Sequence, residues 1–186
     1  AFRRPDLPFL FVQLPLIGPP SPAVEESGWA AVREAQRRAL ALPGTGMAIA
    51  LDLGEWNDLH PANKRDLGLR LALLARKLAY REKLDTWTGP LLERLEREGS
   101  TLRARFSQAG EGLSTSDGKA PRRFHVRRPE GPWREAEARI EGSSVVVDCA
   151  GLAGTLELRY AWAPNPEGAN LRNSLGLPAS PFEARA

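Results

Sequence analysis

The chain has 186 residues, enough to bury a proper core as one domain or two small ones. Its 26 Lys and Arg against 23 Asp and Glu give a formal charge of +3, and the basic residues are scattered, so no dedicated nucleic-acid surface is expected. The lone cysteine, Cys149, cannot close an internal disulfide, and no apolar run approaches the about 20 residues that cross a bilayer, so no membrane partner is expected either.

Residues 8 to 14, "PFLFVQL", form a nearly unbroken apolar run of strand length, of the kind buried on both faces of a parallel sheet. Residues 22 to 42 follow as an amphipathic helix with Trp29, Val32, Ala35, Ala39 and Leu40 inward and Glu34 and Arg38 paired on the polar side. After the Pro43-Gly44 turn, "GMAIALDL" at 46 to 53 reads as a second strand, so strand, helix and strand make a right-handed βαβ unit. The next helix is expected to start at Pro61, a favoured first-turn residue, and to carry Leu67, Leu71, Leu74 and Leu78 on one stripe. Beyond "DTWTGP" the period changes from 3.6 to two. "TLRARF" and "TLELRYAW" alternate apolar residues (Leu102, Ala104, Phe106; Leu156, Leu158, Tyr160, Trp162) with outward polar ones. Short segments at "FHVRR", "EAEARI" and "SSVVVD" complete the pattern of an antiparallel sandwich or open barrel. Cys149, at the end of the Val145-Val146-Val147 run, reads as core packing.

Between the second strand and its helix lies "GEWNDLH". In open parallel sheets, chemistry collects at the carboxyl ends of strands, where loops converge and helix amino termini point inward. His60, just before Pro61, is expected at the helix N-cap, where the partial positive charge of free N–H groups favours neutral imidazole, the form a general base needs. Asp58 and Glu55 are the candidate carboxylates to orient the ring. The competing reading is a polar connector whose Asp and Asn cap the helix. No phosphate loop, His-Glu-x-x-His, paired Cys-x-x-Cys or dinucleotide fingerprint is present, and His125 reads as a strand residue. No serine stands in a nucleophile-elbow context, so a serine partner for His60 must lie elsewhere.

The segments "PDLPFLFVQLP", "WAAVREAQRRAL", "GMAIALDLGEWNDLHPANKRDLGLRLALLARKLAY", "GEGLSTSDG", "VRRPEGPWREAEARI" and "LELRYAWAPNPEGANLRNSLGLPASPF" together resemble the sialate O-acetylesterase type of carbohydrate acetylesterase, within the SGNH/GDSL hydrolase superfamily. The resemblance implies an α/β fold. Residues 1–85 would be the C-terminal part of an SGNH α/β/α sandwich with a parallel sheet, and residues 86–186 a mostly antiparallel β-sandwich. It implies metal-free removal of acetyl esters from sugar hydroxyls, with no cofactor and with His60 as the catalytic base. The nucleophilic serine would come from an N-terminal portion of the enzyme that precedes this chain. That agrees with a sequence that starts at Ala1 and has Met47 as its sole methionine, and the isolated chain is then expected to be inactive. The resemblance also favours a periplasmic or secreted location, although no signal peptide opens the chain.

One departure concerns the acid. The superfamily commonly has aspartate three residues before its histidine, where this chain has Asn57. We take Asp58, two residues before His60, as the orienting acid, with Glu55 in reserve. In the C-terminal signature, Tyr160, Trp162, Asn165, Asn170 and Asn173 could line a sugar-binding surface or, on the commoner pattern, serve as core and as loop braces. The rival from another class is a non-catalytic carbohydrate-binding or interaction module.

Overall fold

The computed structural model describes residues 6–21 and 26–186. Strand β1 (Phe9–Val12) pairs in parallel with β2 (Thr45–Ala48), in the register Phe9 with Thr45 through Val12 with Ala48. Both strands are shorter than their apolar runs. Beyond Ala48 the backbone leaves the ladder: the Ile49 carbonyl accepts from Arg70 Nη1 at 2.6 Å, and Leu53 N–H turns back onto the Ala50 carbonyl. Ile49, Ala50 and Leu51 stay buried without being strand, because hydrophobic burial does not require sheet pairing. Nor is β1 buried on both faces. Among the described residues it has one neighbouring strand, and Phe9 is 66% exposed.

Helix α1 (Gly28–Arg38) starts at an N-cap, Ser27, whose hydroxyl accepts from Ala30 N–H; residues 22–25 of the expected helix lie outside the described residues. Its inward face is only partly the one that periodicity indicates: Trp29, Ala39 and Leu40 are half-buried, Leu40 against the core cluster. Val32 and Ala35 are exposed, while Ala30, Arg33 and Glu34 are buried. Arg33 inserts into a ring of carbonyls: Nε donates to Leu14 at 2.9 Å, Nη1 to Ala163 at 2.7 Å, and Nη2 to Pro164 at 2.9 Å and to Pro15. Burial pushes this guanidinium down to about 9, and the four acceptors compensate for its lost water. Glu34 does pair with Arg38, at 2.8 Å, but also takes both forks of Arg37, so of the expected polar pair Glu34 is covered while Arg38 stays exposed.

Helix α2 spans Lys64–Leu78, with Leu74 buried and Leu67, Leu71 and Leu78 half-buried along the expected stripe. It starts three residues later than expected. Asn63 is the N-cap: its Oδ1 accepts from Asp66 N–H at 3.1 Å and its Nδ2 donates to the Asp66 carboxylate at 2.8 Å.

The remaining strands form three antiparallel sheets, so the described chain is mostly β and parallel pairing is confined to β1–β2. Strands β3 (Leu91–Glu98), β4 (Thr101–Ser107), β8 (Ala138–Glu141) and β9 (Ser144–Asp148) are ordered β3-β4-β9-β8. Strands β6 (Phe124–Arg127), β7 (Arg134–Glu135), β10 (Glu157–Tyr160) and β12 (Phe182–Arg185) are ordered β12-β10-β6-β7, and β5 (Leu113–Thr115) pairs with β11 (Leu171–Asn173). The alternation in β4 holds, with Leu102, Ala104 and Phe106 inward, and Phe106 meets Phe182 of β12 with ring centres 5.9 Å apart. In β10 the apolar half of the pattern holds, but Arg159 is buried rather than outward. It lies against Trp133 and Trp162 and bonds Glu183 through Nε at 2.5 Å, so π faces and a carboxylate replace its water.

One buried apolar cluster runs from Met47, Ile49 and Leu51 through Leu102, Val145 and Val147 to Leu158, Tyr160 and Phe182. The segment at "DTWTGP" is part of this packing. Lys77 sits 4.4 Å from the Trp87 ring centre, Thr88 donates to the Met47 carbonyl, and a Cβ on Gly89 would fall 1.9 Å from the Pro178 carbonyl oxygen.

Candidate active site

The turn that follows β2 is pinned from below. At Gly54 a Cβ would come within 2.4 Å of the Leu16 carbonyl oxygen, so only glycine lets this backbone lie on the loop after β1, and Gly18 N–H donates to the Trp56 carbonyl at 2.7 Å. Glu55 and Asp58 form an isolated antiparallel bridge that closes the turn. Glu55 Oε1 then accepts from Ala62 N–H at 3.0 Å, fastening the far end of the segment instead of reaching the imidazole.

His60 and Asp58 are neighbours on this turn. Asp58 Oδ1 accepts from the His60 backbone N–H at 2.7 Å and lies 3.4 Å from His60 Nδ1. The second distance is a contact rather than a hydrogen bond, and a small rotation of the ring would convert one into the other. The imidazole is 81% exposed and the carboxylate 54%. Among the described residues Nε2 has no protein partner, so the ring faces a carboxylate with one nitrogen and solvent with the other. The N-cap expectation fails: Asn63 holds that position, and Pro61 keeps His60 outside the helix, because the residue before proline avoids helical backbone. No serine hydroxyl bonds to His60 among the described residues.

Sequence reasoning did not single out Asp52 and Arg70. Arg70 of α2 grips both Asp52 oxygens, at 2.6 and 2.8 Å, with Arg172 of β11 at 3.8 Å on the same carboxylate. The signal was present, an aspartate closing the apolar run, but its partners stand 18 and 120 residues away. Tyr160, Asn165, Asn170 and Asn173 resolve mainly as braces. Tyr160 Oη accepts from Leu171 N–H, Asn170 ties Asp117, Ala120 and Arg122 together, and Asn173 bonds the Thr88 and Gln108 carbonyls and the Leu175 and Leu177 amides. Trp162 stacks on Arg159, and Asn165 Nδ2 donates to the Gly18 carbonyl. His125 is buried in β6 and desolvation lowers its pKa; Cys149 is buried and desolvation raises its thiol. Among the described residues no three His, Cys, Asp or Glu side chains are grouped to hold a metal ion, and no helix is long and apolar enough to cross a membrane.

No protein-family model matches the chain. Individual proteins do. Sialate O-acetylesterase of Rattus norvegicus is 30% identical across 77% of this chain, and that of Homo sapiens 31% identical across 77%. The crystal structure of a carbohydrate acetylesterase from Xanthomonas citri superposes with a TM-score of 0.86 at 40% identity, over 95% of this chain and 41% of that one. In sequence and fold the chain is thus similar to carbohydrate acetylesterases. Within that class, its likeness is to the sialate O-acetylesterase type, as the sequence motifs indicated. The chain spans 29% of the length of the curated relatives it matches.

Proposed function

We propose that this chain carries the histidine side of a serine-type esterase site that removes acetyl groups from carbohydrate hydroxyls. The observation that carries the reading is the Asp58–His60 pair on the turn after β2, with Nδ1 toward the carboxylate and the ring open to an approaching hydroxyl. Similarity to carbohydrate and sialate acetylesterases supplies the acetylated sugar as substrate class. His60 takes the proton of a serine hydroxyl as it attacks the acetyl carbonyl and passes it to the departing sugar oxygen; water then repeats the cycle on the acyl-enzyme. Asp58 orients the ring and stabilises the imidazolium. The serine is supplied by polypeptide outside this sequence, β1 and β2 belong to an SGNH-type parallel sheet completed by that polypeptide, and residues 86–186 form its β-sandwich companion.

The test is steady-state hydrolysis of 4-nitrophenyl acetate and of acetylated sugars by the assembled enzyme. His60→Ala should lower kcat about a thousandfold or more, and Asp58→Asn by less. The isolated chain should show no His60-dependent turnover. Wild-type kcat in His60→Ala refutes the catalytic reading and leaves the turn a connector.

A further inference from the structure

The turn that bears His60 is held at both ends by one helix. Helix α2 begins just after it, capped by Asn63, with Lys64 Nζ donating to the Pro61 carbonyl. Further along the same helix, Arg70 reaches back to the residues that precede the turn. Its Nη1 donates to the Ile49 carbonyl and to Asp52 Oδ1, both at 2.6 Å, and its Nη2 to Asp52 Oδ2 at 2.8 Å. Residues 53–62 therefore close on a rigid rod.

These bonds fall where the backbone has lost its own partners. Strand β2 ends at Ala48, and among the described residues no backbone donor reaches the Ile49 carbonyl, so the guanidinium takes the place of a sheet neighbour. A planar fork on both oxygens of one carboxylate fixes direction as well as distance, which a single hydrogen bond does not. The pair is largely covered, with the Arg70 side chain 11% exposed and that of Asp52 24%, so water competes for it less than at an open surface pair. Arg172 approaches the same carboxylate only to 3.8 Å, outside hydrogen-bond range, so the fork belongs to Arg70. The gap that Arg70 shares with Ile49, Trp87 and Pro178 is about 10 Å³, no more than one water needs, which leaves the guanidinium little room for a second pose.

Between the anchored ends lies the Asp58–His60 pair. The bonds inside the turn, Asp58 Oδ1 with His60 N–H at 2.7 Å and Glu55 Oε1 with Ala62 N–H at 3.0 Å, fold it on itself but do not set where it points. Direction comes from the anchors. On the β1 side these are Gly54 against Leu16 and the Gly18 N–H on the Trp56 carbonyl; on the α2 side it is Arg70. Among the described residues neither Asp52 nor Arg70 bonds to His60 or Asp58, so any effect on the imidazole passes through the backbone.

We propose that Arg70 is a positioning residue for His60: through Asp52 and the Ile49 carbonyl it sets the angle at which the turn presents the imidazole. The proposal rests on the histidine-esterase reading above and extends that site into α2. A general base works only within hydrogen-bond reach of the proton it takes, and a misplacement of about 1 Å is enough to cost about a hundredfold in rate.

The assembled enzyme tests this with two readouts, steady-state kinetics on 4-nitrophenyl acetate and hydrogen–deuterium exchange of the peptides covering the turn and α2. Arg70→Met should lower kcat about ten- to a hundredfold while KM stays within about twofold, because the base is misplaced and substrate binding is not. Exchange should quicken about tenfold in residues 53–62 and stay at the wild-type rate in α2. Asp52→Asn, which sets an amide against the guanidinium, should do the same, and it decides the matter if Arg70→Met does not assemble. In the double variant the losses in kcat should not multiply, since both changes break one contact. Arg76→Met, which removes an exposed ion pair with Glu82 from the last turn of the same helix, is the control and should match wild type in both readouts. Wild-type kcat in Asp52→Asn, a rise in KM that accounts for the loss, multiplying losses in the double variant, or exchange that quickens as much in α2 as in the turn overturns the proposal. The two readings fail separately. Turnover that survives His60→Ala defeats the catalytic reading whatever Arg70 does, whereas His60-dependent turnover that is indifferent to Arg70 and Asp52 defeats the positioning role alone.

Discussion

Replacing Arg33 by methionine removes the cation that joins α1 to the loop after β1 and the loop after β10 while keeping most of its volume. Four carbonyls lose a donor, but not equally. The Pro15 carbonyl keeps Trp29 Nε1 at 2.8 Å and that of Pro164 keeps Ile17 N–H at 3.1 Å, whereas those of Leu14 and Ala163 have no other donor among the described residues. Two orphaned carbonyls cost about 1–3 kcal/mol each, and relief of the guanidinium's desolvation pulls the sum toward the lower end, about 3 kcal/mol in all. For a chain of 186 residues each kcal/mol moves Tm by about 2–4 °C, so Arg33→Met should melt about 6–12 °C lower. Thermal unfolding followed by circular dichroism at neutral pH measures this. A Tm within about 2 °C of wild type, or above it, would show that the desolvation cost cancels the bonds, as in some buried ionic clusters, and that Arg33 is no net clamp.

Asp117 provides a pH test. The Asn170 amide, then Arg122 and the Lys119 N–H, hold its carboxyl at about 2 against an ordinary 3.8, so its contribution is present above about pH 4 and lost as pH falls toward 2. The Tm difference between wild type and Asp117→Asn should shrink across that window; a constant difference refutes the linkage. At Gly54, alanine must push Leu16 backbone aside, because its Cβ falls 2.4 Å from a carbonyl oxygen and 2.7 Å from a nitrogen. Gly54→Ala should therefore cost about 1–3 kcal/mol and lower esterase activity in the assembled enzyme by displacing the turn, and an unchanged Tm would contradict the close approach.

Local chemistry made part of this protein readable from its sequence. The leucine stripe of α2, the alternation in β4, the burial of Cys149 and the histidine turn each depend on neighbours within a few residues, where period and spacing carry the information. Motif order across the chain also carried the family likeness, which the relatives and the superposed structure bear out. Other features are set by partners far along the chain. The face that α1 buries was partly misread because Arg33 looks polar until carbonyls 18 and 19 residues before it and 130 and 131 residues after it converge on it. The N-cap of α2 moved to Asn63 because its bond with Asp66 competes successfully with the proline signal at Pro61. Arg159 likewise looked solvent-facing until Trp133, Trp162 and Glu183 surrounded it. The small cavity lined by Leu16, Asp52 and Arg172 is the extreme case, since these residues share no local pattern. Only the tertiary structure brings them together, since the convergence of long-range hydrogen bonds, unlike helical or strand period, leaves no repeat in the sequence.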